Sequence, residues 1–332
     1  MITSVFLMYL SIIIPTKDRP KDIRRLLTAL SRQTFRDFEI IVIDESRNSM
    51  TKNICKEYEK DLNIKYFHVK LGSLTRARNF GLKHAKGRII IFMDDDIIIP
   101  KDFLEKVHNI FETNLNIIGI QGLIISKRLF YSQIKNAIRK ALLLPYLGAK
   151  TQYVRRSGVT ARPFIHMIKA PIKVQIFYGC CFAFRKEIFN KVKFDENVIL
   201  WSFMEDIDFS YTCYKLNPGK LLLDPSLKIY HFISPEARLN DRRKYYMSRV
   251  YWAYFFFKHH RNSLLSILAF IYAFFIGNFI LRIIGFITNS NKKIESQLFL
   301  TLLKAQIDVL RYLGHILRGN LGRINDKIIR MK

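Results

Sequence analysis

Residues 74–100 read LTRARNFGLKHAKGRIIIFMDDDIIIP, and their pattern changes period in the middle. Apolar residues between Thr75 and Ala85 recur at helical spacing. After Lys86 and Gly87 the chain becomes RIIIFM, apolar at every position from Ile89 to Met93, and the carboxylates Asp94, Asp95 and Asp96 follow at once. A short strand without polar alternation is expected where both faces of a sheet are covered, the usual situation of parallel strands.

The same alternation extends outward. Before it come SIIIPT, a helical pattern from Lys21 to Arg32, FEIIVID, a second helix from Thr51 to Lys60, and IKYFHV; after it come a helix from Asp102 to Thr113 and IIGIQGLII. This predicts an α/β fold with a mostly parallel central sheet flanked by helices. Ligands of such sheets bind beyond the carboxyl ends of the strands. That rule singles out Thr16 to Arg19, Asp44 to Ser46 and Asp94 to Asp96.

From Lys127 to Lys173 the pattern weakens into a basic excursion holding Arg139, Lys140, Arg155, Arg156, Arg162 and Lys169. Regular elements are expected again over KVQIFYGCCFAFR and LLLDPSLKIYHF, followed by the aromatic run YYMSRVYWAYFFFKHH. Between Ser263 and Leu281 no residue is charged, which makes SLLSILAFIYAFFIGNFIL a candidate membrane span. Arg261, Arg282, Gly277 and Asn278 leave open a helix lying in the interface instead, and a buried helix pair is a third reading. Ile294 to Arg318 is amphipathic. The expected division is 1–125, 126–260 and 261–332, the last a helical membrane-associated region.

The chain has 332 residues, 49% of them hydrophobic, and 55 basic against 27 acidic residues give a net charge of +28. Disorder is excluded by that apolar content, and the charge predicts a polyanionic neighbour such as anionic lipid, nucleic acid or a phosphorylated substrate. The four cysteines, Cys55, Cys180, Cys181 and Cys213, match no zinc spacing and no disulfide framework, so they are read as reduced and cytosolic. MITSVFLMYL lacks a basic start and a cleavage-like site, and a signal peptide is not expected.

Three adjacent carboxylates repel unless a cation neutralises them. A hard divalent ion, Mn²⁺ or Mg²⁺, is the usual partner of oxygen ligands shared with a diphosphate; the alternative is a solvated turn. Glu205 and Asp206 open the helical segment MEDIDFSYTCYK, where a carboxylate is commonly a cap, yet a carboxylate is also a suitable base for a nucleophilic hydroxyl. His231, after LKIY, is either a packed residue or a neutral imidazole ligand. Arg76, Arg78 and Asn79 begin a helix, facing phosphate or merely solvent.

In order and spacing, Ser11 to His260 resembles the family 2 inverting glycosyltransferases, which have the GT-A fold. SIIIPTKDRP resembles the opening strand and turn, with Asp18 where asparagine is common, and SRQTFRDFEIIVIDES leads to the second nucleotide-binding carboxylate, Asp44. DESRNSM departs from the more usual acid-glycine-serine run. The Asp94–Asp96 triplet resembles the DxD motif, and MEDIDFSYTCYKLNPGKLLLDPSLKIYHF the second half of the site. The resemblance implies donor binding by Pro15, Thr16, Asp18, Arg19, Asp44, Arg76, Arg78, Asn79, Asp94 and Asp95, and metal binding by Asp94, Asp96 and His231. It implies Asp206 as catalytic base with Glu205 beside it, and Gly179, Cys180 and Trp201 on the acceptor side. The expected partners are a nucleotide-sugar donor, a glycan or lipid-linked glycan acceptor, and the anionic cytoplasmic face of a membrane, held peripherally or by a single span.

Three rivals remain at this point. Transfer to a polyprenyl phosphate needs no base, which Glu205 and Asp206 argue against. A processive synthase would need a Q-x-x-R-W motif that is missing. A basic nucleic-acid-binding protein explains the charge but not three aspartates at a strand end, and no specific nucleic acid is expected.

Overall fold

The computed structural model describes residues 8–126, 133–200, 203–236 and 239–331. In chain order the elements are β1 (Leu10–Thr16), α1 (Pro20–Ser31), β2 (Phe38–Asp44), α2 (Met50–Tyr58), β3 (Ile64–His68), α3 (Leu74–His84), β4 (Ile89–Met93), β5 (Ile97–Ile98), α4 (Phe103–Thr113) and β6 (Gly119–Ile125). There follow α5 (Gln133–Ala141), β7 (Tyr146–Leu147), β8 (Tyr153–Val154), β9 (Thr160–Arg162), β10 (Ile172–Lys173), β11 (Cys181–Arg185), α6 (Glu205–Leu216) and β12 (Leu221–His231). The rest is helical: α7 (Asp241–His259), α8 (Leu264–Ile271), a π-helical segment Tyr272–Gly277, α9 (Asn278–Thr288), α10 (Lys292–Arg311), α11 (Leu313–Leu317) and α12 (Gly322–Arg330). The chain forms two compact units, the first from residues 1–129, 165–195 and 209–238, the second from 130–164, 196–208 and 239–332.

The first unit is built on a nine-stranded sheet in the order β10-β12-β6-β11-β4-β1-β2-β3, with β5 paired to β12. Strands β3, β2, β1 and β4 are mutually parallel, as are β6 and β12. Between these blocks β11 runs antiparallel to both β4 and β6, so the sheet is mixed but mostly parallel. Alternation along β1 divides the core: Leu10, Ile12 and Ile14 join Ile23, Leu26 and Leu27 of α1 and Val107 of α4, whereas Ile13 faces the opposite cluster with Ala77 of α3 and the rings of Phe182, Phe184 and Phe209. Both faces are therefore covered, which is why these strands tolerate no polar alternation. Burying one such side chain contributes roughly 1.5–3 kcal/mol. Helix α3 approaches the sheet closely because Gly81 lies over Ile13; a Cβ there would meet Ile13 Cγ2 at 2.5 Å.

The register fixes where polar groups emerge. Thr16 pairs with Asp44 and Asp44 with His68, so three strands end level. Of KVQIFYGCCFAFR, Lys173 ends β10 and Cys181–Arg185 forms β11 of the central sheet. Between them Val174 N still bonds to the Leu221 carbonyl (3.0 Å), but Phe177 N donates to Ser210 Oγ (2.9 Å) and Tyr178 N to Gln121 Oε1 (3.1 Å).

In the second unit a small sheet, β7-β9-β8, is made by the basic excursion. The helical remainder packs α7 against α10 and α10 against α9. Phe256 stacks on Phe270 (4.2 Å between centroids), and Trp252 meets Phe274 edge-on (5.2 Å). A π-helical segment frees main-chain carbonyls, and here Asn278 Nδ2 donates to those of Ala273 and Phe274 while Gln306 Nε2 donates to Phe274 O. Among the described residues one continuous helical stretch, Leu264–Thr288, is long and apolar enough to cross a membrane, and a third of its most apolar window is buried.

Candidate active site

Asp94 to Asp96 leave β4 where the sheet ends, and each carboxylate has a different environment. Asp95 is 2% exposed; its Oδ2 accepts from Thr16 Oγ1 (2.7 Å) and its Oδ1 from Arg19 Nη1 (2.9 Å). Asp96, equally buried, accepts at Oδ1 from His231 Nε2 (3.0 Å), at the end of β12, and at Oδ2 from the Ser234 main-chain N–H (3.0 Å). Asp94 keeps about a third of its side chain exposed and accepts from Arg78 Nη2 (3.2 Å). Its own N–H donates to the carbonyl of Cys180 (2.8 Å), whose φ of 102° is left-handed, a strained state for a residue with a Cβ. Strands β1, β4 and β12 and the turn before β11 thus converge on three successive residues.

Burial pushes the Asp95 carboxyl up to about 7, helped by the neighbouring Asp96 charge and opposed by Arg19 and Thr16. Burial acts on Asp96 in the same direction, but the His231 hydrogen bond and charge, the Ser234 amide and Arg19 outweigh it and hold Asp96 below the ordinary carboxylate range. Arg19 sits 3.9 Å from Asp96 as well as beside Asp95, and burial, which lowers its pKa, is overcome by these carboxylates.

A second cluster lies where β1 and β2 end. Asp18, at a left-handed φ of 52°, donates its N–H to Ser46 Oγ (2.7 Å) and accepts at Oδ1 from the Arg47 N–H (2.9 Å) and at Oδ2 from Arg47 Nε (3.0 Å). Asp44 is fully buried and accepts from the Ser46 N–H (2.8 Å) and the Tyr66 hydroxyl (2.6 Å). Pro15 is buried within β1, in register with Ile43.

Other candidates are placed differently. Arg78 is buried among the rings of Phe92, Phe182 and Phe194, at 5.3–6.0 Å from their centroids. Asn79 exchanges two hydrogen bonds with the main chain of Phe194, a structural engagement. Arg76 is exposed and reaches the Leu71 carbonyl. Glu205 and Asp206 stand in the first turn of α6, within the 196–208 segment of the second unit, where Asp206 Oδ1 accepts from the Ile207 N–H (2.8 Å). Asp208, in the same segment, is held by Lys258 and His259 of α7, each at 2.7 Å. Gly179 precedes Cys180 in the turn before β11, and Trp201 lies outside the described residues. Sequence reasoning passed over Tyr66, Arg47 and the Ser234 amide, which hold Asp44, Asp18 and Asp96.

The donor set suits a hard divalent ion. Asp96 Oδ1 and His231 Nε2 share a hydrogen bond of 3.0 Å; with that proton lost they would stand about as far apart as two ligands at right angles on an octahedral ion, about 3.0 Å. Among the described residues no three His, Cys, Asp or Glu side chains converge on one point. The protein thus offers a carboxylate-imidazole pair, which fits an ion that takes its other ligands from diphosphate and water.

A mixed sheet of this order, with acidic groups at the carboxyl ends of its parallel strands, has the GT-A architecture. The model of glycosyl transferase family 2 matches residues 11–193, and the chain belongs to that family. It is 28% identical over 224 residues to the uncharacterized glycosyltransferase EpsJ of Bacillus subtilis, spanning 66% of this chain and 60% of EpsJ. It is 26% identical over 192 residues to the minor teichoic acid biosynthesis protein GgaB of the same organism, spanning 56% of this chain and 19% of GgaB. The structure of residues 1–349 of Staphylococcus aureus TarS shares the fold with a TM-score of 0.56 at 18% identity, over 95% of this chain and 88% of that one.

Proposed function

We propose that the protein is a metal-dependent, inverting glycosyltransferase that moves a sugar from a nucleotide diphosphate to a hydroxyl of a glycan, lipid-linked, in the assembly of a cell-surface polysaccharide. One observation carries the reading: Asp95 locked between Thr16 and Arg19, beside the Asp96–His231 pair, at the carboxyl ends of β1, β4 and β12. The relatives support its direction. TarS is a poly(ribitol-phosphate) beta-N-acetylglucosaminyltransferase whose structures include complexes with UDP and UDP-GlcNAc, and a fold neighbour, GalNAc-T7, is described with UDP, GalNAc and Mn²⁺.

Asp44 and Asp18, with Pro15 and Thr16 at the end of β1, receive the nucleoside, Arg76, Asp94 and Asp95 complete the donor side, and the buried Arg78 and Asn79 support it from within. Asp96 and His231 would hold Mn²⁺ or Mg²⁺, with Asp94 close by in the chain but not converging with them on one point, and the ion would supply positive charge against the diphosphate. Arg19 and Arg78 keep the buried carboxylates in place, so that the charge developing on the leaving group meets a preorganised field. Asp206 takes the proton of the attacking hydroxyl, with Glu205 beside it and Gly179, Cys180 and Trp201 on the acceptor side. Attack from the face opposite the leaving group inverts the configuration. The apolar Leu264–Thr288 stretch and the net charge of +28 support work at a membrane, and four free buried thiols accord with its cytoplasmic face.

The test is a panel of nucleotide sugars incubated with the full chain, with and without Mn²⁺ or Mg²⁺, monitored for nucleoside diphosphate release. Metal-dependent release from one donor is expected. Silence across the panel, with no donor binding, overturns the reading.

A further inference from the structure

The second unit has two features that sugar transfer does not use. From Leu264 to Thr288 one stripe of the helix is turned inward, where Phe270 and Phe274 pack on Trp252 and Asn278 bonds to main-chain carbonyls. The opposite stripe is exposed and apolar: Leu264 at 70%, Leu268 at 54%, Ile271 at 45%, Ile283 at 42% and Ile287 at 70%. Helix α10, packed against α9, exposes Lys292, Lys293, Ser296, Gln297 and Lys304 as well as Ile294, Leu300, Ile307 and Leu310. If α9 crossed a bilayer, α10 would take the charged Lys304 with it into hydrocarbon. A segment lying in the interface buries the apolar stripe and leaves that charge in water.

Tyr245 of α7 is flanked by two guanidiniums, Arg249 at 4.6 Å and Arg282 at 5.4 Å from the ring centroid. Glu295 pairs with Arg282 at 3.0 Å, and among the described residues no carboxylate pairs with Arg249. The Nε of each is shut off from solvent with no hydrogen-bond partner. Two guanidiniums against one carboxylate leave a net positive charge beside the apolar helix, with each Nε lacking a partner until a side chain shifts to admit one, and guanidinium matches phosphate geometry. The surroundings agree in sign. Beyond Arg261 the acidic residues are Glu295, Asp308 and Asp326, of which Glu295 and Asp308 are paired with Arg282 and Lys327.

We propose that Leu264–Thr288 lies in the plane of an anionic bilayer and that Arg249 and Arg282, stacked on Tyr245, take the phosphate of a phospholipid headgroup. The proposal rests on the membrane-associated reading above but is separable from sugar transfer. The full chain would be sedimented with vesicles of phosphatidylcholine alone or with phosphatidylglycerol added, alongside nucleoside diphosphate release and a melting curve for every variant. Binding to the anionic vesicles is expected, with a residue resistant to salt. Arg249→Gln should weaken it roughly five- to tenfold. Arg249→Lys, which keeps the charge but not the fork, should recover only part and serves where the first variant fails to fold. Leu268→Ser with Ile283→Ser should abolish binding while donor hydrolysis is unchanged.

Equal binding to both vesicle types overturns the preference for an anionic bilayer, and an Arg249→Gln protein that binds as the parent does overturns the phosphate site. Full competition by inorganic phosphate at equal concentration assigns the site to free phosphate and also overturns it. A dimer in solution that dissociates on Ile283→Ser, without vesicle binding, makes a second copy the occupant. A parent chain that hydrolyses a donor but does not bind anionic vesicles refutes this inference alone; a parent chain that binds the vesicles but hydrolyses no donor refutes the transferase reading instead.

Discussion

An attacking hydroxyl must lose its proton, and the assignment of that task to Asp206 has a sharp consequence. Asp206→Asn should reduce turnover by roughly 10²–10⁴-fold, the range of a lost general base, while donor titration stays near the parent value. Normal turnover would remove Asp206 from the role. Asp96→Ala should instead abolish the metal dependence of donor binding, since it deletes one of the two proposed ligand atoms 3.0 Å apart; a titration still dependent on Mn²⁺ would refute it. Glu39 gives a pH prediction. Burial tends to raise its pKa, but Lys65, Ser11 and the Lys86 amide overcome this and depress it below the ordinary 4.5. A depressed folded value means stability that is complete above 4.5 and is lost as pH falls through the lower folded value. Denaturation midpoints should drop on acidification, and Glu39→Gln should flatten that part of the profile. At this scale the sequence announced some groups and hid others. Asp94 to Asp96 stand out because like charges after an apolar strand need an explanation. Tyr66 and the Ser234 amide do not, because a strand tyrosine and a main-chain N–H look the same whether or not a carboxylate waits opposite.

Helix α3 shows two element-level effects in competition. Alanine is a better helix former than glycine by about 1 kcal/mol, yet at Gly81 the new methyl would stand 2.5 Å from Ile13 and 3.0 Å from Ile43. Overpacking costs typically about 1–3 kcal/mol, so Gly81→Ala should destabilise the protein in urea unfolding, against propensity; a gain in stability would show that the sheet yields. Strands β1, β2 and β4 were readable because every position is buried, and α1, α2, α3 and α4 lie within a residue or two of their predicted limits. The two- and three-residue strands β7, β8, β9 and β10 were not, since a period of two cannot register in so few positions. Helix α7 hid its periodicity differently: buried positions run from Tyr246 to Phe256 with little interruption, so no polar face betrays its turn. The π-helical segment has no pattern of its own and is recognisable only from the amides of Asn278 and Gln306 that satisfy it.

For the molecule as a whole, ligand linkage provides a direct check. Nucleoside diphosphate with Mn²⁺ should raise the melting temperature in a concentration-dependent way, by the equivalent of about 2.7 kcal/mol at a hundredfold excess over Kd, and should do much less with a chelator present; equal shifts in both would dissociate the metal from donor binding. The net charge of +28 was legible at once, but its meaning was not, because composition cannot tell lipid from nucleic acid. The exposed apolar stripe on Leu264–Thr288 narrows that choice where counting could not. The division into two units also has a practical consequence. All four cysteines are buried, Cys55 with its thiol pushed up to about 12, and all belong to the segments of the first unit. The second unit has the buried indole of Trp252 and no cysteine. Thiol labelling therefore clocks the opening of one unit, while indole emission responds to the other. Following both through one unfolding experiment would show whether the two halves of the chain come apart as a single cooperative transition or one after the other.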